Sequence, residues 1–371
     1  MPSQSTPQNS PQILLFPPMH LQSNFYGTHG FSPNQSEEHA RKASKPPSST
    51  KKNVPVPSQA ELGPNEVLVK IHAASLNYRE LVIAGPMGVN GPITPPVVPG
   101  CDGAGTVEAV GSSVKGFKPG DRVVTNFDPS IPDDAFSTVA QVPTMLGQGT
   151  DGTLRSIGVF PEGALVHAPK SLDWLQAATL TVTWTTAWNS LFGLKVQGTG
   201  GVSIAALQLA TAVGATVVAS TSSDEKAAKL KELGAKHVVN YRTNPDGWGK
   251  EARALAPEGR GFDIVIDIGG NETLTHSLQA VRTDGVVMII GGVGADAETV
   301  PMFATLLHTC IARGILGGSR NQFKELVRFI DEKKIKPVID DVVFELADAK
   351  DAYRRLKEKK HFAKVVIRVD H

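Results

Sequence analysis

The sequence predicts an α/β protein with two domains, a β-barrel-like unit followed by a doubly wound parallel sheet. Short strand patterns separated by Gly and Pro turns occupy residues 58–170, as in small barrels. From residue 176 onward, helical and strand patterns alternate, which is typical of parallel strands joined by crossover helices. A chain of 371 residues has enough material for two such cores.

Composition excludes several classes of protein. The chain has 37 Lys+Arg against 36 Asp+Glu, so its formal charge of +1 gives no electrostatic signature for nucleic acid or an anionic membrane. Cys101 and Cys310 are too few for a disulfide framework or a four-cysteine zinc site. No apolar run approaches the roughly 20 residues that span a bilayer, and the first residues lack the pattern of a secretory signal. We therefore expect a cytoplasmic globular protein.

Residues 1–57 differ from the rest of the chain. They contain ten of the 26 prolines, and their only acidic residues are Glu37 and Glu38. Such a segment buries too little apolar area to offset its ordering entropy, so we expect a disordered Pro/Ser-rich tail. Docking of the short apolar run Ile13–Phe16 stays open, as does a mitochondrial presequence, although Arg41 is the sole arginine of this segment.

The first domain is predicted from three strand patterns and a helix. Alternating and β-branched apolar residues predict strands at 66–74, 106–111 and 121–125, and residues 175–191 have a helical pattern. The second domain continues with a helix at 203–213, a buried strand at 215–220 and an amphipathic helix at 224–233. Further strands are expected at 238–239, 264–268 and 286–290, and the C-terminal tail predicts helix, strand, helix and strand at 322–333, 338–344, 349–357 and 364–369.

The sharpest motif lies near the start of the second domain. The residues Gly198, Gly200, Gly201, Val202 and Ser203 form a Gly-rich turn directly before a predicted helix. Backbone N–H groups at such a turn and at a helix N-terminus bind a pyrophosphate, and glycines let the backbone approach it. With a strand at 215–220 completing the unit, the motif predicts a dinucleotide site, with Ser203 in place of the third glycine.

The end of the strand at 215–220 indicates which dinucleotide is bound. An NAD site has a carboxylate there for the ribose hydroxyls, but this chain has Thr221 and Ser222, followed by Lys226. Hydroxyl donors and a cation suit a 2′-phosphate, so we expect NADPH, with NADH the less favoured alternative because Asp224 and Glu225 are near. Tyr241 and the neighbouring Arg242 follow the next strand and are candidates for further phosphate contacts.

An ordered set of motifs then points to a family. In order they are residues 74–80 (ASLNYRE), 99–105 (PGCDGAG), 120–123 (GDRV), 197–203 (QGTGGVS), 267–270 (DIGG), 290–294 (IGGVG), 317–320 (GGSR) and 364–367 (KVVI). This set resembles the medium-chain dehydrogenase/reductase superfamily, in its quinone-oxidoreductase-like and fungal zinc-type alcohol dehydrogenase-like branch.

The resemblance implies a GroES-like β-barrel catalytic domain over 58–184, completed by 321–371, and a Rossmann cofactor domain over 185–320. It also implies hydride transfer between NAD(P) and a small molecule, usually in a homodimer.

The resemblance also implies where a catalytic zinc would be bound in zinc-dependent members. Their ligands are a cysteine, the histidine of a G-H-E motif and a second cysteine. At these positions this chain has Asn77, Cys101 within Gly100-Cys101-Asp102, and Val182 by approximate alignment. One thiol cannot supply a three-ligand site, so we expect no zinc. Cys101 is expected to be a small buried residue.

Without zinc, another group must polarise a carbonyl or give a proton. Tyr78 is the candidate proton or hydrogen-bond donor, and Asn77 the candidate holder of the carbonyl or the nicotinamide ribose; core packing is the alternative for both. Arg79 and Glu80 are expected to form a structural ion pair. The resemblance places Thr186, Gly292, Val293 and Ser319 near the nicotinamide. The expected substrate is a small carbonyl compound, enone or quinone.

One departure from the family pattern affects function. About a dozen residues that form the first Rossmann strand in relatives are missing before Gly198. We expect either that the preceding helix unwinds to supply this strand or that the central strand is short. The sequence therefore leaves two functions open: an NADPH-dependent, zinc-independent oxidoreductase, or a catalytically weak NAD(P)-binding paralogue that acts as a sensor or scaffold.

Overall fold

The computed structural model describes residues 12–15, 55–85, 97–193, 203–292 and 297–369, and these form two compact units. The parallel-sheet unit contains Gln12–Leu15 and the described part of Thr186–Ile315. The mixed-sheet unit contains the described residues of 55–185 and 316–369. Within the described ranges, no helix is long and apolar enough to cross a membrane.

Every predicted strand and helix has a counterpart in the structure, which also contains strands and helices that the sequence did not predict. The strands are β1 Gln12–Leu15, β2 Glu66–Ser75, β3 Asp102–Val110, β4 Arg122–Thr125, β5 Ile157–Pro161, β6 Leu165–His167, β7 Thr216–Thr221, β8 His237–Asn240, β9 Phe262–Asp267, β10 Val281–Ile289, β11 Ile311–Gly314, β12 Ile339–Glu345 and β13 Lys364–Arg368. The helices are α1 Tyr78–Ile83, α2 Trp174–Ala177, α3 Thr185–Phe192, α4 Ser203–Ala212, α5 Asp224–Glu232, α6 Trp248–Ala254, α7 Asn271–Ala280, α8 Ala304–Leu307, α9 Arg320–Lys333 and α10 Ala349–Lys357. A single π-helical turn, Leu180–Trp184, precedes α3.

The mixed-sheet unit has the strand order β12-β13-β2-β3-β4-β6, with β5 also paired to β2. Most of the pairs are antiparallel, and β12 with β13 is parallel. One face of β2 buries Val67, Val69 and Ile71 completely, and Leu68 on the opposite face is also buried. Burial of these apolar side chains, at roughly 25 cal/mol per Å², is the main force that holds the sheet together. This arrangement brings β2 and β13, the first and last strands of the unit along the chain, side by side.

The parallel-sheet unit has the strand order β11-β10-β9-β1-β7-β8, and every pair is parallel. β7 and β9 are buried along nearly their whole length, as expected for strands covered on both faces. Because all strands run the same way, their carboxyl ends lie at one edge of the sheet. A ligand of a doubly wound sheet binds beyond that edge, where the strand order reverses.

The structure corrects the expectation for residues 1–57. Gln12–Leu15 is not part of a tail outside the fold, because it forms the strand between β7 and β9. The error arose because the three apolar residues of this strand, with prolines close by, carry no local sign of their partners, which lie more than 200 residues away. The remaining residues up to 54 lie outside the described part of the chain.

The expectation that the helix before Gly198 unwinds is also wrong for the described residues. α3 stays helical through Phe192, and residues 194–202 lie outside the described chain. The central position is taken by β1, a four-residue strand from a segment that neither alternative named.

Candidate active site and cofactor-binding edge

The mixed-sheet unit contains a group of polar side chains where its apolar core would otherwise continue. We call it the buried polar cluster; its members are Asn77, Arg79, Glu80, Cys101, Asp102, Thr183 and Lys364. Three local features place them. α1 begins just after β2, β3 begins at Asp102, and β13 begins at Lys364 beside β2. Glu80, Cys101 and Asp102 are at most 1% exposed, so their polar atoms depend on one another for partners.

Lys364 connects most of the cluster. Its Nζ donates to the carbonyl of Leu76 at 2.9 Å, to Asn77 Oδ1 at 2.5 Å and to Asp102 Oδ2 at 3.0 Å. The Lys364 side chain is only 12% exposed and that of Asp102 is fully buried. A buried carboxylate is costly unless it is paired, and here the ammonium group pairs with it directly.

Asn77 uses its side chain within the cluster. Its Oδ1 accepts from Lys364 and, at 3.1 Å, from Thr183 Oγ1, while its Nδ2 donates to Cys101 Sγ at 3.7 Å. The Asn77 backbone N–H donates to Glu80 Oε2 at 2.7 Å, which fixes the first turn of α1. Asn77 is therefore held in one orientation and directs its amide group at the thiol.

Glu80 and Cys101 form the most deeply buried part of the cluster. The thiol donates to Glu80 Oε1 at 3.3 Å and lies 3.4 Å from Asp102 Oδ1. Burial raises the pKa of Cys101 well above its usual value, and the charge of Glu80 adds to this. Burial also raises the pKa of Glu80, although Arg79 opposes the shift. Cys101 is thus a protonated, buried thiol, in line with the predicted small buried residue.

Arg79 closes one side of the cluster. Its guanidinium donates to Glu80 Oε1 at 3.1 Å and to the carbonyl of Leu146 at 3.0 Å. The predicted ion pair of Arg79 with Glu80 is therefore present in the structure. Together, Arg79 and Lys364 bring two positive charges to the region around Cys101.

Two tyrosines lie beside the cluster. Tyr78 is half-buried at the first position of α1, and burial raises the pKa of its phenol. Tyr353, on α10, has its pKa raised by burial and then by the nearby Glu80 and Cys101. Both phenols therefore remain protonated at neutral pH and are able to donate a proton or hydrogen bond.

The residues at the three family zinc positions do not fit a zinc ion. Zn²⁺ needs thiolate, imidazole or carboxylate ligands. Asn77 offers an amide that is already bonded, Val182 offers no ligand atom, and Cys101 remains a thiol because of its raised pKa. The cations of Lys364 and Arg79 would also repel the metal. Throughout the described chain, no group of three His, Cys, Asp or Glu residues is arranged to hold a metal.

The cofactor-binding candidates lie mainly at the carboxyl edge of the parallel sheet. Thr221 ends β7 and is buried, and Ser222 follows it. Ser223 then caps α5, because its side chain accepts from the backbone N–H of Lys226 in the first turn. Thr221 and Ser222 therefore lie at the end of a strand and Lys226 in the first turn of the next helix, and their role in phosphate binding stays a prediction.

The turns after β9 and β10 also fit a nucleotide. Gly270 has φ +71°, and a Cβ there would lie 2.8 Å from Gly292 Cα. A Cβ on Gly292 would meet nothing within 4 Å, so the backbone borders open space at this position. Asp267, at the end of β9, fixes the first turn by accepting from the Gly270 N–H at 2.8 Å. Glycines that keep side chains away from the carboxyl edge let a bound dinucleotide approach the backbone.

Other cofactor candidates are placed differently. Tyr241 is 6% exposed, and its ring packs with Trp248 in the core, so burial accounts for it without a cofactor. Ser319 caps α9, where its Oγ accepts from the Gln322 N–H at 3.2 Å. Thr186 is buried in α3. Ser203 begins α4, as predicted. Gly198, Gly200, Gly201, Val202 and Val293 lie outside the described residues.

Sequence reasoning missed Lys364, Tyr353 and Thr183. Lys364 had been noted only as the first residue of a strand pattern. Its signal was a single lysine at the head of an otherwise apolar run, Val365–Ile367, whose members are all fully buried. Thr183 and Tyr353 had no such signal, because only the fold brings them to the cluster.

The chain matches two family models and several characterised proteins. The models are the alcohol dehydrogenase GroES-like domain over residues 63–170 and the zinc-binding dehydrogenase over residues 201–332. A zinc-type alcohol dehydrogenase-like protein of Schizosaccharomyces pombe is 41% identical over 326 residues, covering 84% of this chain and 92% of that protein. The 2-methylene-furan-3-one reductase of Solanum lycopersicum is 32% identical over 329 residues, covering 85% and 74%.

Among solved structures, an NAD-dependent alcohol dehydrogenase is 34% identical with a TM-score of 0.73, covering 86% of this chain and 95% of that one. The two predicted domains, GroES-like and Rossmann, are confirmed by the two family models and by this structural match. The chain belongs to the medium-chain dehydrogenase/reductase superfamily, in its zinc-type alcohol dehydrogenase-like branch.

Proposed function

We propose that this chain is an NADPH-dependent, zinc-independent oxidoreductase that transfers a hydride to a small carbonyl compound, enone or quinone. Membership of the superfamily supplies the coarser part, an NAD(P)H-dependent oxidoreductase. The observation that carries the finer part is Lys364, whose Nζ donates to Asn77 Oδ1 at the first family zinc position and to Asp102 Oδ2, next to the second. An ammonium group there takes the role of a structural cation and leaves no ligand set for a metal.

Without a metal, the proton for the product must come from a side chain or water. A bound nicotinamide cofactor supplies the hydride, and in the proposal Tyr78 donates the proton that completes reduction of the acceptor. The raised pKa of Tyr78 keeps this proton in place at neutral pH. Asn77 is assigned a positioning role, because both its amide groups already bond within the cluster.

The preference for NADPH is proposed from the end of β7. Thr221 and Ser222 supply hydroxyl groups, and Lys226 supplies a positive charge one helical turn away, whereas a carboxylate for ribose is missing at position 221. The acids at the start of α5 have partners in the protein: Asp224 accepts from Asn240 at 3.4 Å, and Glu225 pairs with Lys229 at 3.2 Å. The NAD-dependent structural relative supports the alternative, so both cofactors belong in the test.

The weak-paralogue alternative was motivated by the missing first strand. In the structure, Gln12–Leu15 occupies the position between β7 and β9. The sheet is therefore continuous at the point where a dinucleotide would be bound, and that motivation is gone. A related reductase acts, by its name, on 2-methylene-furan-3-one, a carbonyl compound with an adjacent double bond, which supports the enone class.

The proposal is tested by following NADPH oxidation with a panel of enones, quinones and aldehydes, each with and without a chelator. We expect turnover with at least one acceptor, no loss with the chelator and no stoichiometric zinc by metal analysis. NADH as sole effective cofactor would overturn the NADPH assignment, and stoichiometric zinc lost together with activity would overturn zinc independence. No turnover together with no fluorescence change on NADPH addition would defeat the enzyme assignment.

Tyr78→Phe tests the proposed proton donor. We expect kcat to fall about 100-fold, the usual contribution of a positioned general acid, with little change in NADPH affinity. In the unsubstituted protein, kcat should stay level through neutral pH and fall only at alkaline pH, because an acid with a raised pKa loses its proton later. Tyr353→Phe is the matched control; if it lowers kcat more than Tyr78→Phe does, the donor is Tyr353.

The proposal includes a homodimer and a cytoplasmic location. β11 is the edge strand of the parallel sheet, and apolar side chains near it are exposed by 49–76%: Met302, Phe303, Leu306, Leu307 and Ile311. An unpaired edge beside such a patch favours pairing with a second copy. Light scattering that gives the mass of one chain would contradict the dimer, and organelle enrichment in cell fractionation would contradict the location.

A further inference from the structure

The central strand of the parallel sheet comes from a part of the chain remote from both its neighbours. β1 pairs with β7 from Gln12–Thr216 to Leu15–Ala219 and with β9 from Ile13–Ile264 to Leu15–Ile266. All other strands of this sheet lie between residues 216 and 314. A single contiguous region thus forms both sides of a slot, and a separate segment fills it.

The slot lies at the functional centre of the unit. β7 and β8 are on one side of β1, and β9, β10 and β11 are on the other, so the strand order reverses at β1. A dinucleotide binds beyond the carboxyl end of the strand at this reversal. The strand that fills the slot is therefore the one whose carboxyl end lies under the proposed pyrophosphate site.

The attachments of β1 include a backbone ladder on each side. Besides the two ladders, the Gln12 N–H donates to Asp263 Oδ2 at 2.7 Å, and Gln12 is 4% exposed. An empty slot would leave facing rows of N–H and C=O groups on β7 and β9 without partners in a buried sheet. Recognition by backbone pairing does not require a covalent link between the strand and its neighbours.

We propose that the slot between β7 and β9 is a docking site for an extended segment and that Gln12–Leu15 of the same chain occupies it. The same segment also binds the slot when it is supplied on a separate molecule. Docking completes the carboxyl edge of the sheet, so the cofactor is bound only when the slot is filled. The dependence of cofactor binding on a filled slot rests on the proposed function, whereas docking of the segment does not.

The test starts from the folded full chain. A protease site is introduced within residues 16–54, the purified protein is cleaved, and the N-terminal fragment is removed by washing through a size-retaining filter. A fluorescently labelled peptide of residues 9–18 is then added, with the Leu14→Pro peptide as control, because proline removes a backbone N–H and is excluded from central strands. Peptide binding is followed by anisotropy and NADPH binding by cofactor fluorescence.

We expect saturable binding of the unsubstituted peptide and at least tenfold weaker binding of the Leu14→Pro peptide. NADPH affinity should fall at least tenfold after washing and recover with the unsubstituted peptide. Equal binding of both peptides, no binding of either, or unchanged NADPH affinity after removal of the fragment would each overturn the proposal. If the fragment cannot be removed and does not exchange with labelled peptide, the strand is permanent and the proposal is wrong.

A second measurement covers the case in which the washed protein unfolds. The full-length Leu14→Pro variant should show faster amide hydrogen exchange in β7 and β9, while exchange in β2 and β3 stays unchanged. Unchanged exchange in β7 and β9 would overturn docking at this slot. If the cleaved and washed protein binds the peptide as described, but neither it nor the uncleaved chain ever binds NADPH, the proposed function fails while the docking proposal stands.

Discussion

Each of the two sheets contains an inner strand that comes from a far end of the chain, and the two strands are attached in different ways. β13 lies between β12 and β2, and its first residue, Lys364, bonds to three groups of the buried polar cluster. β1 lies between β7 and β9, and its described attachments are the two backbone ladders and the Gln12 N–H to Asp263. β13 is anchored by a buried side chain, and β1 pairs with both of its neighbours through its backbone.

The difference explains why one strand was predictable and the other was not. A strand that is anchored by a side chain leaves a pattern in the sequence, which here is a lysine before a run of β-branched apolar residues. Backbone pairing leaves almost no pattern in the sequence, since any short extended segment offers the same N–H and C=O groups. Three substitutions test this distinction, each with its own control.

The largest effect is expected from breaking the anchor of β13. Lys364→Met leaves the fully buried Asp102 carboxylate without its ammonium partner, and breaking a buried ion pair costs about 3–5 kcal/mol. Chemical denaturation should show this loss in the free energy of unfolding. Lys360→Met is the control, because the Lys360 side chain is 67% exposed and surface pairs contribute about 0–1 kcal/mol.

Equal effects of the two lysine substitutions would show that β13 is held by its backbone and apolar residues alone. In that case, the distinction between the two strands would not hold. The cluster would then be a consequence of the fold and not one of its causes.

A smaller effect is expected at β1, where Asp263→Ala removes the described side-chain acceptor of the Gln12 N–H. A hydrogen bond to a charged group contributes about 1.5–3 kcal/mol, and we expect that range in the unfolding free energy together with faster amide exchange in β1. Arg282→Gln is the control, because Arg282 donates to the same carboxylate at 2.7 Å without touching the Gln12 bond. If both variants lose the same stability, the bond to Gln12 contributes nothing and β1 is held by its ladders alone.

The sequence predicted most of the fold and about half of the candidate site. Helices and strands with several turns or alternations, such as α9 and β2, were placed within two residues, because their apolar period is visible locally. Thr221, Ser222 and Lys226 were found because they lie next to one another along the chain. Thr183 and Tyr353 could not be found, since their part in the site depends on which elements pack together. Tyr241 was misread because a ring after a strand has the same local pattern in a core as at a ligand.

The smallest expected effect concerns Lys226, which follows β7, the strand beside β1. If β1 holds β7 in the proposed geometry, Lys226→Ala should raise the KM for NADPH about tenfold, equivalent to about 1.4 kcal/mol, and leave the KM for NADH unchanged. Lys229→Ala is the matched control on the same helix, because Lys229 already pairs with Glu225 at 3.2 Å. Steady-state kinetics with both cofactors measures the change in KM for NADPH and for NADH. A similar rise for NADH would mean that Lys226 supports the helix and does not read the 2′-phosphate, and cofactor choice would then depend on Thr221 and Ser222 alone.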